Sequence, residues 1–276
     1  MSTGDRPSDR GRSMTRFTLF GLGEAGSLFA ADLVDAGVDV HAYDPAPVAT
    51  PAGVTRHADP ASAVDGADVV LALTPQADAV AAITQAVDAI PVGAMYADLS
   101  TSAAAVKRSI AAVAARRGVA FADVALLSVV PGNGMRALAL ASGDGADRYV
   151  ATMAPLGVPV TSIGGAPGDA ATRKLLRSVM MKGLAALAIE AMRAADAADL
   201  SDWLWRNLVD EITNADEALL ARLVRGTGTH SVRRLHEMEA CEAQLVSLGV
   251  DPVMTRATVE TLRRTPAEGV PDLPTR

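Results

Sequence analysis

The sequence predicts an α/β domain built on a parallel sheet, followed by an all-helical domain. Two observations carry this expectation. Between residues 16 and 163, short apolar runs alternate with helical stretches of about 10 to 15 residues, the pattern of repeated βαβ units. Beyond Gly164-Gly165-Ala166-Pro167-Gly168 no strand-like run recurs, and residues 169–198 are an almost unbroken row of helix formers, about 45 Å long at 1.5 Å per residue. The 276 residues suffice for two ordinary domains. Half of them are hydrophobic but only 3% are aromatic, so the core is built from Ala, Val, Leu, Ile and Met.

The elements follow in order. Residues 16–20 read as a strand entering a glycine turn, 25–36 as a helix closed by Gly37, and 38–44 as a second strand. A short strand at 54–56 and a short helix at 61–65 precede a buried-type strand at 68–74, which Pro75 stops. Then come a helix at 77–90, a strand at 95–99, a helix at 103–117 and a strand at 119–125. Runs at 138–142 and 158–163 complete the sheet. The helical half reads as 169–198, 201–212, 216–225, 231–248 and 252–264, with a loose Pro-rich tail after Thr265. The expected organisation is a disordered tail at 1–15, an α/β domain at 16–166 and a helical domain at 167–276, with Met14 as a candidate start.

Composition narrows the function. A net charge of -7 with few aromatics argues against a nucleic-acid surface. No apolar run reaches the roughly 18 residues of a membrane span, and the N-terminus lacks the apolar stretch of a secretory signal. Cys241 is the only cysteine, which rules out an internal disulfide or a cysteine metal cluster and fits a cytoplasmic setting; in its helical pattern it reads as a packing residue. His41 and His230 show no metal-ligand spacing, so no metal is expected.

The turn Gly21-Leu22-Gly23-Glu24-Ala25-Gly26 follows a strand and opens a helix, the context in which GxGxxG binds a dinucleotide. Gly21 permits the tight turn, Gly23 lets backbone approach a pyrophosphate, and Gly26 lets helix pack on strand. The helix N-terminus offers N–H groups to the phosphates. Asp44 ends the second strand, eighteen positions after Gly26. A carboxylate there accepts from the adenine ribose hydroxyls and repels a 2′-phosphate. No Arg or Lys follows before Arg56, so the expected cofactor is NAD in preference to NADP; read alone, Asp44 is also a turn residue before Pro45. Ser100, Thr101 and Ser102 follow a strand at its C-terminal end, where open α/β sheets bind ligands, and equally suit helix capping.

These stretches, together with Gly165-Ala166-Pro167-Gly168 and the long helix behind it, resemble the 6-phosphogluconate dehydrogenase-like, or β-hydroxyacid dehydrogenase, superfamily over about residues 16–249. The resemblance implies a Rossmann-type domain and a helical domain through which two copies pair as a homodimer. It also implies a catalytic lysine early on the long helix, at Lys174. A lysine beside a nicotinamide in a desolvated cleft can have its pKa lowered and exchange a proton with a substrate hydroxyl or carbonyl. Thr74, Pro75 and Thr101 are implied to pass the cofactor. The family's asparagine one turn after the lysine is replaced by Ser178, on the same helix face. Lys182 lies one further turn on, rotated about 80° from Lys174. The second substrate loop matches only in fragments, leaving Ser128 and Asn133 as candidates, with a turn role open for Asn133. Arg233, Arg234 and His236 form either an anion clamp or a solvated helix face. Trp203 and Trp205 point to different sides of a helix, and at least one is expected to meet another domain or subunit.

The function that follows is hydride transfer between a nicotinamide cofactor and a small hydroxy acid or related carbonyl compound. Within the same resemblance the alternative is imine reduction. From a different class, the alternative is a dinucleotide-binding protein without turnover.

Overall fold

The computed structural model describes residues 15–274, so residues 1–14 of the expected tail, Met14 among them, lie outside the described residues. The chain divides into two compact units, one up to Arg177 and one from Ser178 onward.

The first unit is an eight-stranded sheet. Its strands are β1 (Arg16–Phe20), β2 (Asp39–Tyr43), β3 (Thr55–Arg56), β4 (Val69–Ala72), β5 (Met95–Asp98), β6 (Ala120–Leu126), β7 (Ala139–Ser142) and β8 (Val160–Ser162). They lie in the order β3-β2-β1-β4-β5-β6-β7-β8. The direction of winding reverses between β1 and β4, so a crevice opens at their carboxyl ends, where doubly wound sheets bind ligands. Every neighbouring pair is parallel except β6 with β7, which are antiparallel. The expectation of an all-parallel sheet is corrected there: residues 127–138 carry no crossover helix, so β7 returns beside β6 as a hairpin partner.

Both faces are covered, and for that reason the central strands are continuous apolar runs. On one face, Phe17, Leu19, Val69 and Val124 pack against Phe29 and Leu33 of α1 (Glu24–Asp35) and Tyr149 and Met153 of α5 (Ala146–Met153). On the other, Phe20, Val70, Tyr96 and Phe121 pack against Ile83 of α3 (Ala79–Ala86) and Ile110 of α4 (Ala104–Ala115), with α2 (Pro60–Ala63) alongside. The sequence reading did not include α5. Its mixed composition hides a strongly one-sided helix with Ala146, Tyr149 and Met153 buried.

Helix α6 (Asp169–Ala197) starts in the first unit and continues into the second. The second unit adds α7 (Ser201–Thr213), α8 (Glu217–Ser247) and α9 (Val253–Glu268). Two helices were expected where α8 is one. It bends at His230, whose φ of -123° and ψ of 25° leave the helical region. The Arg234 guanidinium reaches back to the Leu223 carbonyl at 3.2 Å and to the Thr227 hydroxyl, meeting polar groups at the bend. Helix α9 runs past the expected end, through Pro266, and closes where Gly269 N–H donates to the Thr265 carbonyl at 2.8 Å. Cys241 is exposed, not packed inside.

The start of α9 is capped from a distance. The buried Glu190 carboxylate on α6 accepts from Met254 N–H at 2.7 Å, Thr255 N–H at 2.8 Å and the Thr255 hydroxyl at 2.7 Å. Burial pushes this carboxyl up, but the three donors outweigh it and hold its pKa below the ordinary glutamate value. A depressed carboxylate pKa means the unfolded chain takes up the proton first as pH falls. The stabilisation is therefore complete above the usual glutamate range and disappears on acidification. Glu190→Gln should destabilise the helical unit by about 1–2 kcal/mol at neutral pH. Denaturant midpoints should show the gap closing toward pH 3 to 4, roughly through the ordinary carboxylate range; a pH-independent gap would refute the cap.

Candidate active site

The glycine turn forms one wall of a cavity of about 580 Å³ at the β1–β4 switch point. Gly21, Gly23, Glu24, Ala25 and Gly26 line it, and so do Asp44, Thr74 and Pro75. Leu22 alone of the motif turns inward, 2% exposed, and contributes its backbone. The three glycines have separate reasons. Gly21 has φ 95°, and a Cβ there would lie 2.6 Å from the Leu73 carbonyl oxygen. A Cβ on Gly26 would run into the Gly21 carbonyl. A Cβ on Gly23 would meet nothing within 4 Å. Gly23 is therefore not required by the fold; the space above it is what a ligand would use. It also caps α1 without a side-chain hydrogen bond, and the Thr74 hydroxyl is buried with no protein partner. An open helix N-terminus and an orphaned hydroxyl around one cavity fit a pyrophosphate-bearing dinucleotide.

Asp44 does more than the sequence shows. Its carboxylate accepts Leu22 N–H at 2.6 Å and Ala46 N–H at 2.8 Å, locking the end of β2 to the glycine turn. Each oxygen keeps a further lone pair for a ribose hydroxyl. Arg56, twelve residues away in sequence, returns to this point because β3 pairs with β2. Its guanidinium donates to the carbonyls of Asp44 (2.8 Å), Ala46 (2.5 Å) and Val48 (2.5 Å), and so shapes the loop after β2. Nearby, His41 Nδ1 and His57 Nε2 stand 2.7 Å apart, hydrogen-bonded ring to ring. Burial, the Arg16 charge and His57 push the His41 pKa down against the pull of Asp39. Among the described residues no group of three or more His, Cys, Asp or Glu is placed to hold a metal ion.

Farther along the same edge of the sheet, Lys174 Nζ donates to Thr101 Oγ1 at 2.7 Å. The two residues are 73 apart in sequence. Beneath them lies a buried cluster that the sequence reading missed. Strand register places Asp98 beside Asp123 and Asp123 beside Ser142 in one row across β5, β6 and β7. All three are 0% exposed. Lys107 of α4, 1% exposed, covers the row: Nζ is 3.1 Å from Asp98 Oδ2, 3.2 Å from Asp123 Oδ1 and 2.8 Å from the Asp98 carbonyl. A signal was available, since the whole chain contains only three lysines, Lys107, Lys174 and Lys182, among 25 basic residues.

The remaining expected site residues are dispersed. Ser100 is turned inward, its hydroxyl hydrogen-bonded to Asp98 and Ser102, because the carboxylate below it captures both its N–H and its O–H. This corrects the expectation that it faces a substrate. Ser102 does not cap α4 either, whose N-cap is Ala103. Ser128 accepts Leu138 N–H at 2.8 Å, and the Asn133 amide donates to the Val129 carbonyl at 2.8 Å, so both shape the β6–β7 loop. Ser178 is half-buried and Lys182 exposed on α6. Arg233 pairs with Glu237 at 2.7 Å on the surface while Arg234 serves the α8 bend, so the two form no joint anion clamp.

Residues 16–149 match the family described as the NAD binding domain of 6-phosphogluconate dehydrogenase. The match spans just under half of the chain and marks an NAD(P)-binding domain, and residues 195–265 match a domain family of unknown function. An uncharacterized 28.5 kDa protein of Methanothermus fervidus is 32% identical over 119 residues, 43% of this chain and 47% of that protein, so it is matched over about half its length. A conserved hypothetical protein of Sinorhizobium meliloti is 27% identical, with 94% of this chain and 92% of that one covered at a TM-score of 0.60. A reductive aminase of Aspergillus terreus, solved with NADPH and ethyl levulinate, shares the fold at 20% identity and a TM-score of 0.77, covering 94% of this chain and 95% of that one. No helix among the described residues is long and apolar enough to cross a membrane.

The glycine geometry separates folding from binding. Gly23→Ala should keep its thermal midpoint within a degree or two, roughly the scatter of a neutral surface change, yet weaken NADH binding about tenfold or more by occupying the phosphate space. Gly26→Ala should lower the midpoint itself. Fluorescence titration beside thermal melts distinguishes them; equal behaviour of the two variants would refute the assignment.

Proposed function

We propose that the chain is an NAD(P)-dependent oxidoreductase acting on a small hydroxy acid or related carbonyl compound, with Lys174 as the proton donor and acceptor. The observation that carries this reading is the 2.7 Å contact of Lys174 with Thr101, at the sheet edge that also bears the glycine turn. The turn and the first N–H groups of α1 hold the pyrophosphate, Asp44 accepts from the adenine ribose, and Thr74 gives its unpartnered hydroxyl to the cofactor. When bound, the nicotinamide supplies or accepts the hydride.

The residues of the chain manage the proton. Thr101 Oγ1 accepts from Lys174 and so aims the ammonium, which gives up a proton to the substrate oxygen as a carbonyl is reduced and recovers it in the reverse direction. NAD is the preferred cofactor in this reading, because Asp44 repels a 2′-phosphate while the donors of Arg56 are committed to three carbonyls. A second copy of the chain pairs through the helical unit. Helix α7 has no buried residue, and Trp203, Trp205 and Ile212 on it are 62%, 58% and 55% exposed, an apolar surface that association would bury. A cytoplasmic setting belongs to the same reading, Cys241 having no cysteine partner in the chain.

NADH and NADPH oxidation against panels of keto acids, aldehydes and cyclic imines tests the activity. Turnover of keto acids supports the reading, turnover confined to imines replaces it with C=N reduction, and NADH binding without any turnover replaces it with a binding protein. With the substrate in hand, Lys174→Ala should lower kcat about 10²- to 10⁴-fold and leave NADH affinity unchanged; retained turnover would refute the proton role. Asp44→Ser should shift the NAD-to-NADP preference toward NADP by about ten- to a hundredfold, the weight of one charge-assisted hydrogen bond. An unchanged ratio would contradict the ribose assignment.

A further inference from the structure

We propose that Lys107 is a positioning residue: it sets Lys174 against Thr101 by holding the two carboxylates from which each of them hangs. The proposal deepens the reading of Lys174 given above and rests on it for its catalytic meaning.

Asp98 governs one side. Its Oδ1 accepts Ser100 N–H at 3.0 Å, its Oδ2 accepts the Ser100 hydroxyl at 3.0 Å, and that hydroxyl meets Ser102 Oγ at 2.8 Å. The loop that carries Thr101 is thus pinned on both flanks. Asp123 governs the other side. Its Oδ2 accepts Gly168 N–H at 3.0 Å, Ala171 N–H at 3.0 Å and the Ser142 hydroxyl at 3.2 Å, while Ser142 Oγ accepts Ala170 N–H at 3.0 Å. The first turn of α6 therefore sits on a fixed negative charge, and Lys174 follows three residues after Ala171. Gly168, at φ 102°, brings this turn against the start of α4; a Cβ there would lie 2.8 Å from the Ala104 Cβ.

Two carboxylates in register on adjacent strands, both fully buried, repel each other unless a cation lies between them. Lys107 is that cation, touching both. A hydrophobic trio of the same volume would fill the space without desolvating three charges. What the apolar trio would lack is the set of directed acceptors that fix the Thr101 loop and the α6 turn relative to one another. Lys107 reaches neither the cavity nor the substrate side, so it acts through Lys174 and Thr101.

The test reads Lys174 directly and needs no substrate. With three lysines in the chain, acetic anhydride labelling resolved by mass spectrometry reports Lys174 separately, and Lys182 on the same helix is the internal control. Thr101→Ala removes this hydrogen-bond acceptor and should raise the Lys174 acetylation rate about fivefold, the population change expected for one net hydrogen bond. Ser142→Ala keeps every charge and loosens only the α6 anchor; Lys107→Met removes the cation. Each should raise the Lys174 rate by a similar factor, leave Lys182 and NADH affinity unchanged, and add nothing further in the Thr101→Ala background. Should Lys107→Met fail to fold, Ser142→Ala alone carries the test. The proposal is overturned by an unchanged Lys174 rate in a folded Lys107→Met or in Ser142→Ala, by full additivity with Thr101→Ala, or by parallel changes at Lys182. Loss of turnover in Lys174→Ala belongs to the proton-transfer reading, so failure of either claim is visible apart from the other.

Discussion

The Lys107 ammonium, held between the carboxylates of Asp98 and Asp123, is the constraint around which the carboxyl edge of the sheet is organised. Strand register puts the two acids side by side, and neither can be charged and buried there without a cation. Once the cation is in place, each carboxylate has acceptor capacity left for backbone N–H groups. Asp98 spends it on the loop after β5, Asp123 on the first turn of α6. In the proposed positioning role of Lys107, these carboxylates set the distance between a loop residue and a helix residue 73 positions apart. Removing one member of such a cluster is far more damaging than never having had it, because the remaining charges are stranded.

The cofactor side of the same edge rests on a different principle, the shape of the backbone. Gly21 and Gly26 are there because strand, turn and helix come too close for a side chain, whereas a side chain at Gly23 would meet only open space. Asp44 links these two roles. It ties the turn to β2 through Leu22 N–H and also lines the cavity, where the proposed function places the adenine ribose. Arg56 then holds the loop beyond it through three carbonyls. A residue that is a turn former by one reading and a ribose ligand by the other serves both uses without conflict.

Much of this architecture was legible in the residues. Continuous apolar strands, alternating helices and the glycine turn located the doubly wound sheet and its switch point, because those features depend on local pattern. Helix α5 escaped because its three buried side chains are interleaved with Asp147, Arg148 and Thr152 in only eight residues, and the antiparallel β7 escaped because strand direction is not encoded in a four-residue run. Residues 216–225 and 231–248 read as two helices where α8 is one bent at His230, and the arginine that satisfies the bend lies a turn beyond it. In the site, the glycines, Asp44, Thr101 and Lys174 were visible as motifs. The Lys107 cluster was not, since a lysine amid helix formers looks solvated, and only strand register reveals that two aspartates 25 positions apart share one buried cation. Ser100 was misjudged for the same reason: its captor, Asp98, is next-but-one in sequence, but whether that carboxylate points inward is decided by the neighbouring strands.

The central claim is that one frame, anchored by Lys107, presents Lys174 and Thr101 to a nicotinamide held by the glycine turn. A crystal structure of the chain with NADH tests it most directly. The account predicts the pyrophosphate over Gly23, the adenine ribose on Asp44, and the nicotinamide ring facing a Lys174 still bonded to Thr101 above an unchanged Lys107 cluster. Electron density that placed the nicotinamide away from Lys174, or showed Lys174 withdrawn from Thr101 with the cluster intact, would contradict it.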